Sequence, residues 1–199
     1  GALELLVNYP TEMSAFTAGK ALNDADPLVR RAAIMALQNL PAAQRLTQLA
    51  PLLNDPIRTV RMEATNALVD AMLGATPEQL QAFNKAAAEY VAAQKFIADT
   101  SEGQSALGSF YARQGKYAEA EKQMQMALKL DPNFIPVYVN LADVYRMQGR
   151  EAESDLTLRQ GIKKAPQNAA VHHSLGLSLI RQKKMPEAII ELRKSPQLA

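Results

Sequence analysis

No cysteine occurs in the 199 residues, which excludes disulfides, thiolate metal sites, cysteine nucleophiles and CxxCH haem attachment within them. Tryptophan is absent too and aromatics make up only 6% of the chain. Val and Ile are sparse beside Ala and Leu, and alternating apolar runs are missing, so helix is expected throughout. The chain also lacks an excess of one charge: 22 Lys and Arg against 20 Asp and Glu leave +2. That is too near neutrality for a strongly basic nucleic-acid or membrane-surface binder. Apolar stretches run for a few residues only, so no segment suits a bilayer span, and no secretory leader pattern opens the chain. No HExxH, GxSxG, Walker or GxGxxG pattern is present, so neither an enzyme nor a cofactor site is expected.

What the chain has instead is internal repetition. Leu22 to Leu37 (LNDADPLVRRAAIMAL) laid over Leu53 to Leu68 (LNDPIRTVRMEATNAL) gives a shift of 31 with eight matches, among them Asp24/Asp55, Val29/Val60 and Arg30/Arg61. A further shift of 31 carries Ala33, Leu37, Asn39 and Pro41 back onto Ala2, Leu6, Asn8 and Pro10, so the chain is expected to open inside a repeat. Asn-Asp with a following Pro turns the chain, and the Val-Arg helix buries Val, Ala and Leu at helical spacing. Pro10 and Pro41 are expected to end these helices. Each Asp precedes its Arg by six residues, which predicts a ladder of charge-assisted bonds along the stack. These motifs resemble the short bacterial form of HEAT repeats, over roughly residues 2 to 75.

From Ser101 a second period of 34 takes over. It aligns Leu107-Gly108 with Leu141-Ala142 and Leu175-Gly176, and Ala120 with Ser154 and Ala188, while Pro132 and Pro166 close two units. The small residues allow the two helices of each hairpin to approach closely; Leu, Tyr and Met fill the gaps between hairpins. This pattern resembles the tetratricopeptide repeat, three times over. Gly115 and Gly149 suit a left-handed turn after each first helix, with Lys183 as their counterpart, and Pro196 is expected to kink the last helix. Thr76, Pro77 and Gln79 predict a capping box opening a long helix to about Ala98. That helix is expected to be half a tetratricopeptide unit joining the two arrays. The predicted domains are 1–76 (HEAT-like, first repeat truncated), 77–100 (connecting helix) and 101–199 (three tetratricopeptide units, the last truncated). The predicted fold class is all-α: a right-handed α-solenoid of about eleven or twelve helices. Both ends lie inside repeats, which suggests a piece of a longer protein and self-association through uncovered apolar ends such as Ile189, Ile190 and Leu192.

Candidate chemistry is thin. His172 and His173 are about 100° apart on a helix and cannot easily share a metal without a bend; one in the core and one in a groove is preferred to a metal or haem contact. The paired carboxylates Glu119 and Glu121, and Glu151 and Glu153, suit helix starts better than acid/base catalysis. Residues 101–199 carry 14 basic and 10 acidic groups.

The tetratricopeptide resemblance implies a concave groove lined by the first helix of each hairpin. By that resemblance its walls are Ser105, Ser109 and Arg113; then Val139, Asn140, Asp143, Arg146 and Met147; then His173, Ser174, Leu177, Ile180 and Arg181. The family's two-carboxylate clamp of Lys and Asn is missing, since its positions hold Ser105, Ser109, Val139, Asp143, His173 and Leu177. This argues against an acidic chaperone tail but leaves other extended peptides open. The expected function is a non-catalytic scaffold that binds a protein or peptide partner bearing an acidic group, with no nucleic acid and no membrane insertion. Pairing of the arginines with Asp143 and neighbouring acids on a solvated surface is the alternative for those side chains. The order of the arrays also resembles the C-terminal repeat region of bacterial multihaem cytochrome c proteins, which would imply a docking domain of an exported electron-transfer protein.

Overall fold

A computed structural model describes residues 12–195. Among them are eleven α-helices, one 3-10 helix and no strand. The chain divides into two compact units, Gly1–Ala93 and Gln94–Ala199. Each is a stack of antiparallel helices, as expected of an α-solenoid, and no described helix is long and apolar enough to cross a membrane. Residues 1–11, which include Pro10, and residues 196–199, which include Pro196, lie outside the described part.

The first unit contains α1 (Glu12–Ala21), α2 (Pro27–Leu37), α3 (Ala42–Leu49), the 3-10 turn Ala50–Asn54, α4 (Arg58–Leu68) and most of α5 (Pro77–Phe96). Its core is aliphatic, built on Ile34, Leu37, Leu49, Leu53, Val60 and Leu68. The Asp residues turn the chain as expected. Asp26 caps α2 by accepting from Leu28 N–H at 2.8 Å, and Asp24 and Asp55 accept at 2.8 Å from Asp26 and Ile57 N–H.

The charged ladder forms, but its carboxylate bonds skip to the next repeat. Arg30 donates from Nη1 to the backbone carbonyl of its own Asp24 at 2.8 Å, while Nε and Nη2 grip Asp55 at 2.8 and 2.9 Å. Arg61 likewise takes the Asp55 carbonyl at 2.8 Å and donates through Nε and Nη2 to Glu89 on α5, at 3.0 and 2.8 Å. Each Arg thus bonds its own turn through the backbone and the following element through a carboxylate. Burial alone would raise the Asp55 carboxyl, but Arg30, the Ile57 N–H and Arg61 outweigh it and hold it below the usual aspartate range. Pro41 does not end α2, which stops at Leu37; it supplies the N-cap position of α3 instead.

At the head of α5 the capping box is in place. Gln79 N–H donates to Thr76 Oγ1 at 3.2 Å and Thr76 N–H donates to Gln79 Oε1 at 2.9 Å. The second unit continues with α6 (Ser101–Arg113), α7 (Tyr117–Leu130), α8 (Pro136–Met147), α9 (Glu151–Lys164), α10 (Ala169–Arg181) and α11 (Met185–Arg193). Two apolar clusters fill it. One centres on Met124, Val137, Leu141, Val144 and Tyr145, the other on Ala142, Leu158, Val171, Leu175 and Leu179. Tyr145 is buried, whereas Tyr111 is only half-buried against the first cluster.

Within the hairpins the close approach is literal. A Cβ built on Gly108 would lie 2.8 Å from Met124 Cγ and 3.2 Å from the Ala120 carbonyl oxygen. At Gly176 it would meet Leu192 Cγ and Cδ2 at 2.6 Å. Leu192 is therefore packed against α10. Of the three apolar residues expected to be uncovered on the last helix, Ile189 and Ile190 are exposed and Leu192 is not. Between hairpins, Arg150 stacks on the Tyr145 ring at 4.4 Å and donates to Glu121 on α7 at 2.6 Å.

The turns after α6 and α8 use Gly115 and Gly149 at φ +74°. After α10 the same turn is made by Lys183 at φ +61°, with Lys184 N–H donating to Leu179 O at 2.9 Å, just as Lys116 donates to Tyr111. The turn survives without its glycine, at a conformational cost to an L-residue. Two substitutions should shift the chemical-denaturation midpoint in opposite directions. Gly108→Leu overpacks the hairpin and should cost about 1–3 kcal/mol, while Lys183→Gly relieves the left-handed residue and should gain about 0.5–1 kcal/mol. Midpoints that do not move would contradict this placement of either residue.

Candidate functional site

The described residues concentrate the groove features at one junction. α6 and α8 are the first helices of successive hairpins, and between them, floored by α7, lies an open cavity of about 440 Å³. Five of the residues expected to line a groove converge on it: Ser109, Arg113, Asn140, Asp143 and Met147. Asn140 and Ser109 meet across the gap, with Nδ2 donating to Oγ at 3.5 Å. The rest of the lining was not foreseen from the sequence: Ala112, Gly115, Tyr117, Met124 and Val144. Tyr117 and Met124 belong to the second helix α7, and the repeat resemblance directs attention only to first helices. Comparing residues 34 apart would have flagged Tyr117 and Val144, because their counterparts, Glu151 and Ser178, are polar.

The remaining expected residues lie elsewhere. Ser105 is buried at 7% exposure, which removes it from any groove surface. Val139 is half-buried against the core cluster of Leu158 and Val171. On α10, His173, Leu177, Ile180 and Arg181 are exposed and Ser174 is half-buried, so that wall presents an accessible face. Two of the wall arginines meet acids of their own chain. Arg146 donates to Asp143 at 3.2 Å within α8, and Arg181 reaches Glu151 on α9 at 3.5 Å.

His172 is a core residue, 2% exposed. Its Nδ1 lies 2.6 Å from Glu191 Oε2 and its Nε2 lies 2.9 Å from the Pro166 carbonyl oxygen. Both ring nitrogens are thus engaged within the hairpin. Among the described residues no group of three or more His, Asp or Glu side chains is placed to hold a metal ion. Burial alone would raise the Glu191 carboxyl, but hydrogen bonds from His172 and Lys194 outweigh it and hold it below the usual glutamate range. Three of the four carboxylates singled out as pairs are tied into ion pairs: Glu121 and Glu153 bond Arg150, which holds the Glu153 carboxyl low, and Glu151 faces Arg181.

Comparison with known proteins agrees with the repeat assignment. Residues 17–93 match the family model for HEAT repeats, and residues 79–135 and 111–177 match two models for the tetratricopeptide repeat. The chain therefore carries both repeat types, in the order read from its sequence. Residues 79–93, within α5, fall inside a match of each kind. Among curated proteins none matches the chain. Solved structures with a similar course include a crystal structure of MamA, 18% identical over 82% of this chain and 85% of that one, with a TM-score of 0.48. A second MamA crystal structure is 16% identical over 96% and 90%, with a TM-score of 0.49. At that level the likeness carries nothing about partner or activity. The resemblance to multihaem cytochrome c repeat regions finds no support in these matches.

The His172–Glu191 pair ties α10 to α11, which predicts an acid-sensitive last hairpin. A carboxyl held low contributes stability above its unfolded value, near 4.3, and the contribution disappears as the pH falls through the lowered folded value. Glu191→Gln should cost about 1–3 kcal/mol at neutral pH and flatten the acid limb of stability against pH. An unchanged acid limb in urea titrations from pH 7 to pH 3 would refute the pairing.

Proposed function

We propose that the concave face of the tetratricopeptide unit binds an extended segment of a partner protein, anchored at the α6–α8 junction and bearing at least one acidic group. HEAT and tetratricopeptide repeats make the chain a protein–protein interaction scaffold, of a class that is typically non-catalytic. One observation carries the finer reading: side chains from two successive first helices converge with an apolar floor on a single open cavity. Cavities of this size with a few convergent polar groups are where proteins take ligands. In this reading Asn140 and Ser109 bond the peptide backbone, Met147 and Leu177 give apolar contact, and the guanidinium groups of the first helices meet the acidic group bidentately. The positive excess of residues 101–199 favours an acidic ligand.

A second reading has specific support, because Arg146 already faces Asp143 and Arg181 already faces Glu151. These pairs are substantially exposed, and exposed pairs are worth about 0–1 kcal/mol. A ligand carboxylate can therefore displace the internal acids at little cost, and pairing does not preclude binding.

The two readings separate in a capture experiment. Protein with Arg146→Ala and Arg181→Ala should recover fewer partners from native cell extract than the parent, and the salt-sensitive part of the bound set should be the part lost. If the bound set and its salt sensitivity stay the same, the arginines serve the fold alone and the HEAT unit becomes the binding surface.

A further inference from the structure

The two inter-hairpin junctions of the tetratricopeptide unit are built on the same 34-residue register, yet they differ where it matters for a ligand. At the first junction, Tyr117 and Met147 stand on the cavity wall and Val144 forms part of its floor. Adding 34 replaces them with Glu151, Arg181 and Ser178. These residues are already engaged with one another or with near neighbours. Arg181 Nε lies 3.5 Å from Glu151 Oε1, and Ser178 Oγ accepts from Gln182 Nε2 at 3.1 Å. Gln182 Nε2 also donates to Asp155 at 3.3 Å. The corresponding wall is therefore polar and crossed by an ion pair.

We propose that the α6–α8 cavity is a specificity subsite for one apolar side chain of the bound segment, and that the Glu151–Arg181 pair denies a second such side chain at the next junction. This rests on the groove reading above and adds selectivity to it. The physical argument is one of desolvation. Seating an apolar group at the first junction removes it from water against Tyr117, Met124 and Val144, which is favourable in proportion to the area buried. Met124 and Met147 are unbranched and adapt to the shape that enters. At the second junction the same group would have to part or desolvate an ion pair and a hydrogen-bonded serine, and buried polar groups left without partners are costly. The ligand class is thus an acidic segment with a single Leu-, Met- or Phe-like anchor, in place of a segment with anchors spaced to fill both junctions. Charge complementarity supports this occupant, because residues 101–199 carry 14 basic against 10 acidic groups.

The test uses the whole chain, ¹⁵N-labelled, and two acetylated, amidated pentapeptides: Gly-Glu-Leu-Glu-Gly and the same peptide with Gly in place of Leu. The leucine peptide should perturb the amides of Ala112 and Val144 while leaving Leu158 and Ser178 still, and the glycine peptide should bind about tenfold or more weakly. Equal affinities, or perturbation centred on Leu158 and Ser178, would overturn the subsite and leave groove binding intact. If neither peptide perturbs α6 or α8, the groove reading itself fails. An exchange of chemistry between junctions gives an independent arm. Tyr117→Glu with Met147→Arg should abolish the leucine preference, and Glu151→Tyr with Arg181→Met should add a perturbation at Ser178 to the one at the first junction. A preference retained in the first double variant, or no added perturbation at Ser178 in the second, counts against the proposal. The wild-type comparison of the two peptides decides the matter even where a variant fails to fold.

Discussion

The tetratricopeptide unit depends on how closely the two helices of a hairpin can approach. At Gly108 and Gly176 a single added carbon would collide with Met124 and Leu192 from the opposing helix, and at the middle hairpin the position is held by Ala142. That spacing seats the apolar clusters and aligns successive first helices as walls of one face. It also decides which second-helix side chains reach the α6–α8 cavity. Met124 fills the space beside Gly108 and lies at the same time on the floor of the α6–α8 cavity. The cavity is thus a consequence of the packing that makes the repeat.

The HEAT-like unit solves the stacking problem with charge. Arg30 and Arg61 each bind a carbonyl of their own turn and a carboxylate of the next element, so the contact that holds a repeat's turn also holds its neighbour. Losing one partner of the nearly buried Arg30–Asp55 pair would strand the other, which makes the ladder specific in register more than it makes it strong. α5 serves both schemes. It offers Glu89 to the last rung of the ladder, and it buries Ala86 and Tyr90 at the small and bulky positions of a tetratricopeptide second helix. Its residues 79–93 accordingly match both repeat types.

The helices, their turns and the two periods were readable because they rest on local rules: small residues at fixed spacing, Asp at turns, a capping box before α5. What was not readable depends on stack geometry. The spacing of Asp24 and Arg30 announces a ladder, but that Arg30 grips Asp55 follows from how far one repeat rises over the next. The wall positions on α6 and α8 were legible from the register, and five of them meet at the cavity. Tyr117 and Val144 stand out only when residues 34 apart are compared, and that they line the cavity appears only once the hairpins are packed. Lys183 shows the converse case. Its sequence breaks the glycine rule, yet the surrounding hydrogen bonds of the turn hold it in the left-handed conformation.

The central claim is that a partner segment lies along the first helices of the tetratricopeptide unit. Site-specific photocrosslinking in native extract tests it whatever the partner is. A photoreactive amino acid at Asn140 or His173 should give a discrete crosslinked adduct, whereas the same group at Leu156, exposed on the second helix α9, should give none. An adduct from Leu156 and none from Asn140 or His173 would contradict the account.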